Sequence, residues 1–239
     1  MFRIEMKKIA KSTTLSYFAL ITTVVFVLGW ALPVGLDHVS NLSIGAYLYS
    51  TYTVVTQFGF LLYGFGIVNF FNKDYAEKTI MFYHFQKIPS IRYFVTKIAI
   101  LDCSLLLLNF LALSVTALIF HDFSLLLGMS GLLTIVFVQY SIVVGIFALL
   151  FSNMLSAIGS AIAFWLISVI CVTTIFPLNK IAYFDASNQF YIKVEQWLNG
   201  NGSVANNFPQ IIVFIGILLI IGLIVAKLNQ NQWLKNGVM

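Results

Sequence analysis

Side chains able to do chemistry are few in this chain, and they are scattered. The three histidines, His38, His84 and His121, sit in separate connections, and no H-x-x-x-H pair is present to hold a metal. Cys103 and Cys171 fall inside apolar runs near opposite membrane faces, so no disulfide is expected. Two thiols without histidine neighbours make no metal site either. Within the apolar runs there is no Glu-x-x-x-Glu pair, no Ser/Lys or Asp/Asp dyad, and the chain has no P-loop to cradle a nucleotide. Asp102 is the one carboxylate inside a run. Such a group is costly in lipid and by default suggests a proton relay, but Lys97 lies one or two turns away near the interface, so the expected role is structural, the acid either pairing with Lys97 or reaching water. Recognition is the chemistry that remains. Asp74, Tyr75, Glu77, Lys78 and Thr79 lead into Met81, Phe82, Tyr83, His84 and Phe85, an acidic start followed by rings that are costly to leave in water.

The elements that must position these residues follow from composition. Of 239 residues, 60% are hydrophobic and 9% charged, and mean hydropathy is +0.96; soluble domains carry about 25% charged residues. Lipid is therefore the solvent. The apolar runs are continuous and about twenty residues long, where barrel strands would alternate over about ten, and Phe is abundant while Pro is scarce (23 against 4). The fold class expected is all-α, a polytopic membrane protein with six transmembrane helices, each needing about twenty residues at about 1.5 Å to cross the hydrocarbon. The runs are Leu15–Leu36, Ile44–Phe71, Val95–Phe120, Leu125–Phe151, Leu155–Leu178 and Phe208–Ala226, with a tight turn at Ser152, Asn153 and Met154 between the fourth and fifth. The first run is too long for a signal-peptide core and lacks a small-residue cleavage site, so it reads as a retained helix.

The net charge of +5 resembles a nucleic-acid signature, yet the cations sit between the apolar runs, where they set orientation; no nucleic-acid partner is expected. Arg3, Lys7, Lys8, Lys11, Lys73, Lys78, Lys87, Arg92, Lys97, Lys227 and Lys235 collect on one side, against Lys180 and Lys193 on the other. That asymmetry predicts both termini in the cytoplasm of a multi-pass cell-membrane protein. No internal repeat is visible, so residues 1–239 read as a single domain with three polar segments.

In residues 1–14, Phe2, Met6 and Ile9 share one helical face while Arg3, Glu5, Lys7, Lys8 and Lys11 take others, which predicts an interfacial amphipathic helix near anionic headgroups. In residues 72–94, Asp74 and Glu77 fit a capping box for a helix over Tyr75–Gln86. Pro89 turns the chain at Ile88, and Ser90 caps the following span. The aromatic helix either docks into a partner's groove or lies in the lipid interface. In residues 179–207, Phe190, Val194 and Trp197 recur at helical spacing before Asn199-Gly200-Asn201-Gly202-Ser203, a helix and turn expected to rest on the outer surface. The start of the fifth run is small: Ser156, Ala157, Gly159, Ser160, Ala161 and Ala163. This is a close-packing face, either within the chain or between two copies.

A basic interfacial start, six spans, a helix-bearing loop between spans two and three, and an outer helix before span six resemble the ABC-2 type permeases of ABC exporters. The local match is Phe71-Asn72-Lys73-Asp74-Tyr75-Ala76-Glu77-Lys78-Thr79, continuing to Lys87-Ile88-Pro89-Ser90-Ile91-Arg92-Tyr93. It is similar to that family's E-x-x-T stretch and proline-small-basic segment, with Lys78 where the family often has Gly. The resemblance implies a coupling helix carrying Asp74, Tyr75, Glu77, Lys78, Thr79, Phe82, Tyr83 and Phe85 that docks on a separate ABC ATPase subunit. It implies a second permease copy, as a homo- or heterodimer, with Ser156, Ala157, Gly159, Ser160 and Ala163 at a packing or dimer face. ATP and Mg would belong to the ATPase, and this chain would bind no cofactor. Its small size is similar to that of permeases exporting amphipathic peptides such as lantibiotics or phenol-soluble modulins. A secondary transporter and a non-transporting immunity or assembly protein are the alternatives.

Overall fold

A computed structural model of the chain describes residues 2–10, 12–36, 38, 41–174 and 189–238. Ten helices carry them: α1 (Phe2–Ala10), α2 (Thr13–Gly35), α3 (Ile44–Ala76), α4 (Thr79–Phe85), α5 (Ser90–Phe120), α6 (Leu126–Leu150), α7 (Met154–Thr174), α8 (Gln189–Leu198), α9 (Phe208–Leu228) and α10 (Gln230–Val238). No strand occurs among the described residues. Six of these helices, α2, α3, α5, α6, α7 and α9, are long and apolar enough to cross a membrane. Residues 175–188, the end of the fifth apolar run and the start of the 179–207 connection, lie outside the described residues.

Local chemistry sets the helix ends. The Ser12 hydroxyl accepts from the Thr14 N–H (3.3 Å) at the start of α2, and Ser43 accepts from Ala46 N–H (3.2 Å) at the start of α3, each satisfying a first-turn donor. The tight turn expected at Ser152–Met154 is present, with Asn153 Oδ1 accepting from Leu155 N–H (2.9 Å). Asn72, oriented to satisfy both ends of its amide, donates to the Ser152 carbonyl (2.7 Å) and accepts from Met154 N–H (2.8 Å). The entry to α7 is thereby pinned to one end of α3.

The inner spans are α3 and α6, both 67% buried, against 17–33% for the other four. Helix α6 packs on α3, α5, α7 and α9, and α3 lies between α2 and α7. Apolar contact supplies no net drive between helices in lipid, so close approach and interhelical hydrogen bonds matter more. Tyrosine hydroxyls make several of those bonds: Tyr47 to the Phe26 carbonyl (3.1 Å), Tyr75 to Leu149 (3.0 Å) and Tyr140 to Val55 (3.0 Å), with Tyr63 and Thr22 paired at 3.1 Å. The Val55 carbonyl belongs to a π turn, Val55–Gly59, in the middle of α3. A π turn alters the i→i−4 ladder and leaves backbone groups in need of partners, and Tyr140 supplies one.

The helix expected before the last span also forms, as α8. Phe190, Val194 and Leu198 of α8 are buried, Tyr49 donates to Glu195 (3.2 Å), and Gly200 takes φ +78 just past the helix end, the left-handed geometry glycine tolerates. The capping box at Asp74 does not form. Helix α3 runs on through Ala76, so Asp74 lies within it, and the following helix is shorter, Thr79–Phe85. Ser90 does not cap α5 either: it donates to the Ala226 carbonyl (2.6 Å), tying α5 to the end of α9.

Glycine makes one span contact possible. A Cβ on Gly29 of α2 would lie 2.2 Å from Thr51 Oγ1 and 2.9 Å from the Thr51 Cα of α3, whereas a Cβ on Gly131 meets nothing within 4 Å. Gly29→Ala should therefore destabilise the purified protein by about 1–3 kcal/mol. Gly131→Ala should be neutral or stabilising by up to about 1 kcal/mol, because alanine is the better helix former. Thermal unfolding in detergent separates the two.

Candidate functional site

The most unusual chemistry of the molecule lies at the end of the bundle shared by both termini. Lys97 of α5 is wholly buried, as are Asp74 of α3 and, to 1% exposure, Glu5 of α1. The Lys97 ammonium reaches Glu5 Oε2 at 2.7 Å and Asp74 Oδ2 at 2.6 Å, and lies 4.0 Å above the Phe70 ring. Two buried carboxylates need a second cation, and Lys8 provides it at 2.8 Å from Asp74 Oδ1, also touching Glu77 Oε2 at 2.9 Å. Tyr93 donates to Asp74 Oδ2 (3.0 Å), and the Tyr83 hydroxyl donates to Glu5. Burying a charge costs several kcal/mol unless it is paired and hydrogen-bonded. Here all three buried charges are paired, and both carboxylates also accept a hydrogen bond.

Five elements contribute to this cluster or rest against it. Helix α1 brings Glu5 and Lys8 because they lie three residues apart on one face, with Ile9 buried beside them. Helix α1 thus forms, but Glu5, placed on its polar face by the sequence pattern, is turned into the protein. Helix α3 brings Asp74, α4 brings Tyr83, and α5 brings Tyr93 and Lys97. Helix α10 adds Trp233, wholly buried, its ring 5.2 Å from that of Tyr93. Burial opposes the charge on Lys8, yet the hydrogen bond and charge of Asp74, with Glu77 and Glu5, raise its pKa above the ordinary 10.5. Burial pushes the Tyr83 hydroxyl above its ordinary range, and its bond to Glu5 adds to that, which keeps it a donor.

The sequence-predicted coupling residues divide between two faces. Asp74, Tyr75 and Tyr83 are buried, with Tyr75 donating to Leu149. Glu77, Lys78, Phe82 and Phe85 are exposed, the two rings to 55% and 76%, and Thr79 is half-buried. Lys78 (φ 52) and Lys87 (φ 53) bracket α4, both in the left-handed region. That geometry costs non-glycine residues about 1–2 kcal/mol, and it swings α4 out of line with α3. The result is a short helix with its inner face anchored and its aromatic outer face open. The small-residue face also divides. Ala157 and Ala161 are buried, Ala161 facing Phe60, Leu61 and Gly64 of α3 across a small gap, while Ser156, Gly159 and Ala163 are exposed and Ser160 is half-buried. Of the two structural roles expected for Asp102, pairing with Lys97 does not occur: Lys97 pairs with Glu5 and Asp74. Among the described residues no cation lies within 4.0 Å of Asp102, which faces Ser141 of α6. Sequence reading missed Glu5, Lys8, Tyr93, Lys97 and Trp233 as parts of one cluster; the signal available was a lone lysine entering an apolar run.

Lys97→Met should destabilise the protein by about 3–5 kcal/mol, because it takes the ion-pair partner from buried Glu5 and leaves buried Asp74 with Lys8 alone. Adding Glu5→Gln should recover part of that loss by removing one of the two acids, as measured by unfolding in detergent. Lys8, with its raised pKa, contributes stability in full below 10.5 that is lost as pH climbs through its folded value. The deficit of Lys8→Ala against the parent should thus be flat from about pH 7 to about pH 9 and shrink only in stronger base.

Comparison with known proteins now adds what geometry alone does not. The family model described as the peptide export permease protein YydJ family matches residues 2–238. A Bacillus subtilis (strain 168) protein described as a probable peptide export permease protein YydJ is 33% identical over 242 residues, covering 99% of this chain and 100% of that protein. No solved structure matches. With six bilayer-length helices and a family match along nearly its whole length, the chain belongs to the YydJ family of peptide export permeases and is a multi-pass protein of the bacterial cell membrane.

Proposed function

We propose that this chain is the permease subunit of an ATP-driven exporter of amphipathic peptides, working with a separate ABC ATPase that docks on α4 from the cytosol. The observation that carries the reading is the two-faced α4. Its exposed Phe82 and Phe85 offer an apolar surface of the kind partners cover, while Tyr83 and the neighbouring Asp74 are tied to α1, α3 and α5 through buried ionic contacts. A surface whose underside is bonded to two spans suits force transmission: a push on the rings moves α3 and α5 together. The excess of Lys and Arg at this end of the bundle supports its placement in the cytosol. The chain lacks a P-loop, so the energy source would be the partner, with ATP and Mg bound there. Two copies would pair through the exposed sides of α7, at Ser156, Gly159 and Ala163, and of α2. ATP-driven closure of the ATPase would then favour one of two arrangements of the spans by binding it more tightly.

Replacing Phe82 and Phe85 together by Ser tests the reading without touching the buried cluster. The variant should unfold at the parent temperature and reach the membrane, yet lose co-purification of the ATPase and export of peptide into the medium. Tyr83→Phe should behave the other way, costing about 1–3 kcal/mol through the orphaned Glu5 oxygen while the docking rings stay in place. Normal export by the double Ser variant would remove α4 as the docking element.

A further inference from the structure

Polar side chains inside the spans mostly satisfy themselves. The hydroxyls of Thr23, Thr53, Ser104, Ser114, Thr116 and Thr134 donate to the carbonyl one turn earlier, and Asn109 does the same through its amide. Gln57 and Asn69 of α3 do not. Both are exposed, and among the described residues neither side chain has a hydrogen bond. Gln57 lies in the π turn, about 24 Å along the helix from Lys73 at about 1.5 Å per residue, well inside the hydrocarbon. An unpaired carboxamide there costs several kcal/mol, which is why polar groups within spans face other protein or a polar path.

The two amides lie on a single stripe. The exposed or half-buried positions of α3 between them are Phe58, Leu61, Leu62 and Phe65, and the stripe continues to Lys73. Tyr17 of α2 borders one side, donating to the Leu62 carbonyl (3.0 Å), and Ile158 and Ile162 of α7 border the other beside Leu61 and Phe65. Helix α3 thus forms the floor of a furrow with α2 and α7 as walls. At its basic end the furrow meets a cavity of about 500 Å³ lined by Asn69, Asn72, Lys73, Tyr75, Ser152 and Met154. Acyl chains fit the aromatic stretch but leave both amides unsatisfied. An occupant that satisfies amides and rings at once must carry backbone-like donors and acceptors beside apolar side chains. A peptide does so.

We propose that the furrow on α3 binds the exported peptide in transit, with Asn69 receiving it at the cavity, Phe65 contacting its apolar side chains, and Gln57 hydrogen-bonding its backbone deep in the membrane. This rests on the exporter reading, which names a peptide as cargo; the furrow adds where the peptide lies and which residues select it. The two amides are about 18 Å apart along the helix, so they can hold a peptide at two points. A cargo with a bare polar face therefore gains over a purely apolar segment, which leaves both amides unpaired.

The test compares parent, Gln57→Leu, Gln57→Asn and Asn69→Leu in cells, reading by mass spectrometry the peptides whose presence in the medium depends on this chain. Leucine removes the amide and inserts into lipid more readily, so membrane level and ATPase co-purification should match the parent. Export should fall by roughly tenfold in each Leu variant, the factor for loss of about 1.4 kcal/mol, while Gln57→Asn keeps most of it. In the same cells, a benzophenone side chain placed at position 57 should, on illumination, form an adduct with one of those peptides. Unchanged export in both Leu variants overturns the proposal. So does an adduct with a second copy of this chain, or with lipid alone. If no peptide in the medium depends on the intact chain, the exporter reading itself fails, a result distinct from these.

Discussion

The structure depends on a solution to one electrostatic problem: a lysine carried wholly out of water at the start of a span. Alone, Lys97 would be among the most expensive side chains in the molecule. Paired with Glu5 and Asp74, set over the Phe70 ring and balanced by Lys8, it becomes the point where the first helix, the second span and the third span are held together. Apolar packing between helices in lipid discriminates weakly among arrangements. A charge cluster discriminates strongly, because a displaced helix leaves a buried ion without a partner. The cluster therefore fixes a geometry that greasy contact alone would leave loose, and α4, hung from Tyr83 and Asp74, inherits that precision.

The rest of the bundle shows a division between enclosed and open helices. Helices α3 and α6 form the interior, stitched by tyrosine hydroxyls to carbonyls of their neighbours, while α2, α5, α7 and α9 expose most of their surface. The open helices face lipid or another protein, and the enclosed pair carries the irregular backbone of the π turn. Polar and strained features are thus concentrated on α3 and at its ends: the π turn with Gln57, the amide of Asn72, the buried Asp74, and left-handed Lys78 just beyond. One helix connects the end of the bundle at α8, the membrane interior and the loop at the basic end.

Much of this was legible in the sequence, and the limits have physical causes. The six spans follow from run length, and the turn at Ser152–Met154 and the helix before the last span from local composition. Phe82 and Phe85 stand out as costly rings in a polar connection, and they are exposed. What escaped was tertiary. Asp74 and Glu77 carry a capping signature, but the apolar helix before them continues through that position because burial of Asp74 against two lysines outweighs a local cap. Ser90 likewise gives its hydroxyl to Ala226 across the bundle. Lys97 has Asp102 close in sequence, but the acids that hold it are far away along the chain, and no periodicity links residue 5 to residue 97. The segment Gln230–Val238, short and mostly polar, gives no membrane signal, yet its Trp233 completes the packing around Tyr93.

The long reach of these contacts has a consequence for biogenesis. Tyr83 is 78 residues from Glu5, and Asp74 is 66 from Lys8, so the first helix leaves the ribosome well before any of its anchors is made. Until the third span is in the bilayer, that segment is a basic helix with an unpaired acid, held only by headgroup attraction. Its docking is then a late event that registers whether spans two and three have been inserted in the right register and depth. A nascent chain with either span misplaced would keep a loose amino terminus, which is the sort of unfolded segment that membrane proteases grip.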